Sequence, residues 1–197
     1  MPEGQGHVVG ESMIRCMLFD MDGTLLFTEE ANFVAYRRAF AEEGFNLERA
    51  AYQRAFGLRF DAMVREVGAK LDAQAAVRVR DAKARFYPES FDQVRPNLPL
   101  IGLLRSVRAH HVTGLVTTAA TTNARALMAH FDLAHLFDVT VFGEDVEHPK
   151  PHPEGYLRAA RLADVPTAQC LAFEDSASGV AAAEAAGITV VRVQEAP

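Results

Sequence analysis

Asp20 and Asp22 stand two residues apart directly after the apolar run Arg15–Phe19 (RCMLF), and Glu174 and Asp175 directly follow a second run, Gln169–Phe173 (QCLAF). In open parallel sheets the ligand crevice opens beyond the carboxyl ends of the strands. If the two runs are adjacent strands, Asp20, Asp22 and Asp175 converge there. Carboxylates about 4 Å apart repel by roughly 4 kcal/mol per pair at an effective dielectric of 20, so such a cluster calls for a cation. Its donors are oxygens, with no Cys or His among them, a set that favours Mg²⁺ over Zn²⁺. The stretch Asp20-Met-Asp-Gly-Thr24 could also open a calcium loop. That reading fails on position: counted from Asp20, Leu25 falls where the loop needs Gly and Ala31 where it needs Glu.

The elements that must position these residues can be read from the pattern of the chain. Short apolar runs at Arg15–Phe19, Thr113–Thr117, Val139–Phe142, Gln169–Phe173 and Ile188–Arg192 are expected as strands, and from Thr113 onward they alternate with helix-like segments at about 122–131, 154–163 and 177–186. A further helix at about 98–110 precedes the run at 113. Strands apolar throughout and alternating with helices indicate an α/β fold with a Rossmann-like parallel sheet covered on both faces. Pro153 suits a first helical turn, Ser176 an N-cap and Gly187 a C-cap. The stretch from 29 to 92 differs. It has no β-branched runs, places Phe33, Tyr36 and Phe40 on one helix face, and is expected to form helices at 47–56, 60–70 and 72–87 with breaks near Gly44, Gly57 and Gly68. Residues 1–28 and 93–197 therefore read as a core and 29–92 as a helical insertion, with Phe91–Pro99 as the return linker.

Composition bounds the function classes. Across 197 residues, 49% are hydrophobic and 23% charged, enough apolar material for a folded core. The formal net charge of −6 argues against nonspecific nucleic-acid or membrane binding, which call for basic patches. Cys16 and Cys170 each lie in an apolar run and read as buried thiols in a reducing compartment, not as a disulfide or a metal site. The first thirteen residues hold three glycines and no apolar h-region, so they read as a mobile tail and not as a signal peptide. A soluble, cytoplasmic protein is expected, with monomer as the default.

Four segments together resemble the signatures of the haloacid dehalogenase-like superfamily. They are FDMDGTL at Phe19–Leu25, LVTT at 115–118, HPKPHP at 148–153 with Lys150, and FEDSASG at 173–179, in the family's order and spanning nearly the whole chain. The resemblance implies Asp20 as a nucleophile that forms an aspartyl-phosphate, and Asp22 as the acid and base for leaving alcohol and incoming water. It implies that Asp20, the backbone carbonyl of Asp22, and Asp175 hold Mg²⁺, with Glu174 nearby or acting through water. The Thr117 hydroxyl and Thr118 amide would bind phosphoryl oxygens, and Lys150 would neutralise charge on the nucleophile and the transferring group. The family's dehalogenases lack an aspartate at the position of Asp22, because a halide needs no proton on leaving. Asp22 therefore points to phosphate esters. Thr117 alone also reads as an ordinary β-branched strand residue, and Gly179 reads as a helix-packing glycine outside the catalytic set. His148 and His152 read as exposed residues of the loop and helix start.

In this family a helical insertion at this place is a cap that closes over the site and selects the substrate. In Gly57-Leu58-Arg59-Phe60, Arg59 reads either as a contact to an anionic substrate group or as a solvated arginine at a helix junction. The branch closest in layout comprises β-phosphoglucomutases, phosphoglycolate phosphatases and sugar-phosphate phosphatases. Mutases of that branch carry a histidine early in the first cap helix, where this chain has Asn32. Where the family often has Asp-Ser after the first signature, this chain has Phe27-Thr28, a difference that affects the entrance and no catalytic role. The resulting expectation is a Mg²⁺-dependent phosphatase of a small phosphorylated metabolite, of sugar-phosphate or phosphoglycolate type. A sugar-phosphate mutase and a non-catalytic phosphate- or partner-binding protein of the same fold are the alternatives.

Overall fold

A computed structural model of the protein describes residues 13–194. The tail expected at the N-terminus lies outside the described residues, except for Met13. Five parallel strands form the central sheet: β1 (Cys16–Phe19), β4 (Val112–Val116), β5 (Val139–Val141), β6 (Cys170–Glu174) and β7 (Thr189–Arg192). Their order is β5-β4-β1-β6-β7. The chain runs outward from β1 to β4 and β5, then crosses back to β6 and β7, so the order reverses around β1. A crevice at such a switch point is where open α/β sheets bind ligands.

Successive side chains of each strand face opposite sides of the sheet, and both sides are buried along β1, β4 and β6, while the edge strand β7 is mostly exposed. On one side Phe19, Leu115 and Phe173 meet Leu104 of α5 (Leu98–Val107) and Leu127 of α6 (Thr121–His130). The Phe19 and Phe173 rings stack at 4.7 Å. On the other side Cys16, Leu18 and Ala172 meet Tyr156 of α7 (Glu154–Leu162) and Ala182 of α8 (Ala177–Ala185). Burying a side chain such as Leu18 fully is worth about 1.5–3 kcal/mol, which explains why these strands carry no polar face. Cys16 and Cys170 are free, buried, and opposite one another in the β1–β6 register. Ser176 caps α8, its hydroxyl accepting from the Gly179 amide at 3.0 Å.

The insertion builds a core of its own. α1 (Glu29–Glu42), α2 (Arg49–Ala55), α3 (Phe60–Glu66) and α4 (Ala73–Phe86) surround Phe33, Phe40, Leu47, Tyr52, Met63 and Val79. The chain turns at Gly44, Gly57 and Gly68, each at a positive φ that a side chain would strain. Two short strands absent from the sequence reading tie the insertion to the core: β2 (Leu26–Phe27) leaves and β3 (Arg95–Pro96) returns, paired antiparallel. Among the described residues no helix is long and apolar enough to cross a membrane.

Candidate active site

The site is assembled where β1, β4 and β6 end. The Asp20 amide donates to the Phe173 carbonyl at 3.0 Å, which locks the first residue after β1 onto β6. Beyond it the chain turns tightly, with Leu25 and Leu26 amides returning to the Met21 carbonyl, so Asp22 stays beside Asp20. Gly23 sits at φ 87°, and a Cβ there would lie 2.2 Å from an Asp175 carboxylate oxygen; only glycine permits that approach. The Thr24 hydroxyl then donates to Asp175 at 2.9 Å.

Lys150 arrives from the loop between β5 and α7. Its ammonium has three protons and three acceptors: Asp20 Oδ1 at 2.7 Å, the Val116 carbonyl at 2.9 Å and Glu174 Oε1 at 2.5 Å. Glu174 Oε1 also accepts from the buried Tyr156 hydroxyl at 2.6 Å. Gly179 makes room for this carboxylate, because a Cβ there would come within 2.1 Å of it. Gly179 thus has a part in the site that its reading as a packing glycine does not capture. Thr117 is buried just past β4, its hydroxyl oxygen accepting from the Ala119 amide at 3.0 Å, while Thr118 beside it is exposed.

Charge in this cluster is unbalanced. Burial pushes Asp20 well above the usual carboxylate range, the Lys150 ammonium pulls it back, and Glu174 and Asp175 push it up again. Burial likewise raises Asp175, against the pull of its Thr24 hydrogen bond. Burial disfavours the Lys150 charge, but Asp20 and Glu174 outweigh it and hold the ammonium above its ordinary pKa. Donor oxygens of Asp20, Glu174 and Asp175 lie within 4.8 Å of one another. An all-oxygen set short of positive charge fits a hard divalent cation, with Glu174 already committed to Lys150 and Tyr156.

A sequence profile of the haloacid dehalogenase-like hydrolases matches residues 17–193. The chain belongs to this family. Fructose-1-phosphate phosphatase YqaB of Escherichia coli is 34% identical over 182 residues, covering 90% of this chain and 95% of its own. The crystal structure of CbbY from Rhodobacter sphaeroides in complex with phosphate superposes with a TM-score of 0.83 at 27% identity, over 93% of this chain and 87% of that one. β-Phosphoglucomutase from Clostridium difficile shares the fold, with a TM-score of 0.79 at 24% identity over 93% and 86% of the two chains.

This haloacid dehalogenase-like chain also surrounds Asp22 with residues to which sequence reasoning gave no part there. The Thr28 hydroxyl donates to Asp22 Oδ1 at 2.5 Å. Thr28 is the N-cap of α1, yet its side chain makes no cap bond, because the hydroxyl is used on Asp22. The Phe27-Thr28 pair, expected to affect only the entrance, thus reaches Asp22 through the Thr28 hydroxyl. Asn32, one turn into α1, donates to the Thr28 carbonyl at 3.1 Å and to the Tyr87 hydroxyl at 3.3 Å. Lys83 of α4 is buried, its Nζ 3.5 Å from the centre of the Tyr87 ring, with no carboxylate in ion-pair range among the described residues. Burial pulls its pKa down to about 8, with Asp22 opposing. Burial also raises Asp22, while Thr28 and Lys83 act to lower it. Arg59, by contrast, is exposed at the start of α3: its carbonyl accepts the Met63 amide at 2.8 Å, and its guanidinium makes no hydrogen bond or ion pair to any described residue. A buried lysine on an otherwise Arg-rich helix is visible in sequence only as another basic residue; its burial comes from aromatic rings elsewhere in the chain.

Proposed function

We propose that the chain is a phosphoric monoester hydrolase that releases phosphate from a small phosphorylated metabolite, of sugar-phosphate or phosphoglycolate type. One observation carries the reading: Lys150 grips Asp20 and Glu174 at once, so a buried carboxylate faces the crevice with its cationic partner already in place. The fructose-1-phosphate phosphatase among its relatives supports the substrate class.

In this reading an Asp20 carboxylate oxygen attacks phosphorus and the bond from phosphorus to the ester oxygen breaks. Asp22, whose pKa burial raises, gives a proton to the departing alkoxide. The product is an aspartyl-phosphate on Asp20. Asp22, now ionised, takes a proton from water as that water attacks phosphorus, and phosphate leaves with Asp20 regenerated. Thr117 and the Thr118 amide would orient the phosphoryl oxygens, and Lys150 would neutralise charge as it shifts onto them. Asp20, Asp175 and the Asp22 carbonyl would hold Mg²⁺, with Glu174 nearby, and the ion would supply the positive charge that this cluster lacks. Residues 29–92 act as the cap, shielding the site from water, with Arg59 a contact for an anionic substrate group.

A mutase reading finds no support in the insertion. Asn32 stands where a proton-handling group would be needed, and its amide is held by Thr28 and Tyr87. The test is phosphate release from a panel of sugar phosphates and phosphoglycolate, with Mg²⁺ and with excess EDTA. Release that requires Mg²⁺ is expected. A folded sample that releases no phosphate from any ester would overturn the hydrolase reading, and interconversion of sugar-phosphate isomers in the same assay would replace it with the mutase.

A further inference from the structure

The loop that carries Lys150 holds a second group of metal-ligating side chains, outside the strand-end cluster. His148, His152 and Glu154 each offer a donor atom, and the three lie within 4.8 Å of one another. His148 Nδ1 is 3.0 Å and His152 Nδ1 3.9 Å from the same carboxylate oxygen, Glu154 Oε2. In a tetrahedral zinc site with bonds of 2.0–2.1 Å, neighbouring ligand atoms are about 3.3 Å apart. The two observed separations lie on either side of that value; His152 Nδ1 accepts the Glu154 amide at 3.3 Å, a contact that an ion at this nitrogen would replace. The two imidazole rings lie side by side, 4.7 Å between centres.

The group is also held in place. The Glu154 carboxylate accepts the Glu147 and His148 amides, each at 2.9 Å, which fixes its position at the first turn of α7. Pro149 and Pro151 restrict the backbone between the histidines, and the His152 amide closes the loop onto the Pro149 carbonyl at 3.0 Å. A site prearranged in this way loses little entropy when an ion binds. Both histidine side chains remain more than half exposed, 60% and 51%, so an ion can reach them and they can adjust by small rotations.

We propose that His148, His152 and Glu154 form a second metal site that takes Zn²⁺ or a similar borderline divalent ion. Two imidazoles and one carboxylate with a position left for water suit Zn²⁺, whereas Mg²⁺ prefers an all-oxygen set. The two centres therefore sort ions by chemistry. An ion at the second one bridges the residues on either side of Lys150 and stiffens the loop that delivers its ammonium to Asp20.

The test is Zn²⁺ titration by calorimetry on the full chain in excess Mg²⁺, with Co²⁺ in parallel as a probe whose visible absorption reports tetrahedral nitrogen ligation. One Zn²⁺ per chain is expected, weakened by about 10-fold or more in His148→Gln and in His152→Gln, and retained in Asp175→Asn. Because both histidines are exposed, circular dichroism of the variants is expected to match the parent. Unchanged Zn²⁺ affinity in both histidine variants overturns the proposal. So does the absence of Zn²⁺ binding to the parent, or loss of binding in Asp175→Asn, which would place the ion at the strand-end cluster.

Discussion

Two buried lysines face this site from different parts of the molecule. Lys150, from the core, donates all its protons to acceptors of the strand ends, and two carboxylates hold its pKa above the ordinary value. Lys83, from the insertion, lies against the Tyr87 ring and has its pKa pulled down to about 8. Burial opposes the charge of both; what differs is whether an acceptor has been built beside it. In the core the lysine has its acceptors before any ligand binds. The insertion half contributes a cation that, among the described residues, meets an aromatic ring and has no carboxylate in ion-pair range, Asp22 acting on it only from farther off.

The largest expected effect tests the core half. Asp20→Asn keeps the shape of the side chain and an acceptor for Lys150 but removes the carboxylate proposed as nucleophile. Phosphate release should fall by at least about 10⁴-fold, with the thermal midpoint no lower than that of the parent, measured by scanning calorimetry. Residual turnover near the parent level would mean that Asp20 forms no bond to phosphorus.

Lys83→Met sharpens the contrast because activity and stability should move in opposite directions. Lowering a lysine pKa from 10.5 to about 8 corresponds to about 3 kcal/mol of cost for the buried charge. The sign follows from proton binding. Between pH 8 and 10.5 the unfolded chain holds this proton more tightly than the folded one, so parent stability rises with pH through that window. Below pH 8 the full cost is present. Lys83→Met should therefore be more stable than the parent by up to about 3 kcal/mol at pH 7, with the gain fading as pH approaches 10.5, while kcat/KM falls by about 10- to 100-fold. Denaturant unfolding at pH 7 and pH 10 reads the first, and initial rates read the second. A variant less stable at pH 7 would show that Lys83 has an acceptor after all.

Thr28 sits at the join between the two regions and should show an intermediate effect. Thr28→Val keeps the shape and removes the hydroxyl that donates to Asp22. Because that hydroxyl does not cap α1, helix content should not change. The half-buried Asp22 carboxylate loses a donor, at a cost of about 1 kcal/mol, and kcat should fall by about 10-fold. Thr28→Ser should restore most of it, a rescue that simple shielding by the insertion would not produce.

The same contrast decides how much was legible in the sequence. Asp20, Asp22, Glu174 and Asp175 each follow an apolar run, and Lys150 stands between two prolines, so local context alone marks them. The strands and helices of the core fall within a residue or a few of their expected bounds, because apolar runs and caps are local signals too. Thr28, Lys83 and Tyr156 carry no such mark. Lys83 lies in Ala73–Phe86 among three arginines, and what buries it is contributed by α1 and by Tyr87 beyond the helix end. The β2–β3 pairing escaped for a related reason: two-residue strands, one containing Pro96, are too short for any periodicity to show.

The smallest effect should come from removing one member of the core network. Tyr156→Phe deletes the hydroxyl that donates to Glu174 Oε1 and leaves the ring in its buried place. Glu174 still accepts from Lys150, and Lys150 still has its other two acceptors, so the ammonium should stay where it is. The expected cost is about 1 kcal/mol in stability, read by denaturant unfolding, and a fall in kcat of no more than about 5-fold, with KM unchanged because no substrate contact is lost. Redundancy of this kind separates the Lys150 network from Asp22, which depends on Thr28, at the join with the insertion, for its one short hydrogen bond. A fall in kcat for Tyr156→Phe larger than that for Thr28→Val would reverse the ranking. It would mean that Lys150 is held in position by the phenol acting through Glu174, and that the core half of the site is as sparsely supported as the half contributed by the insertion.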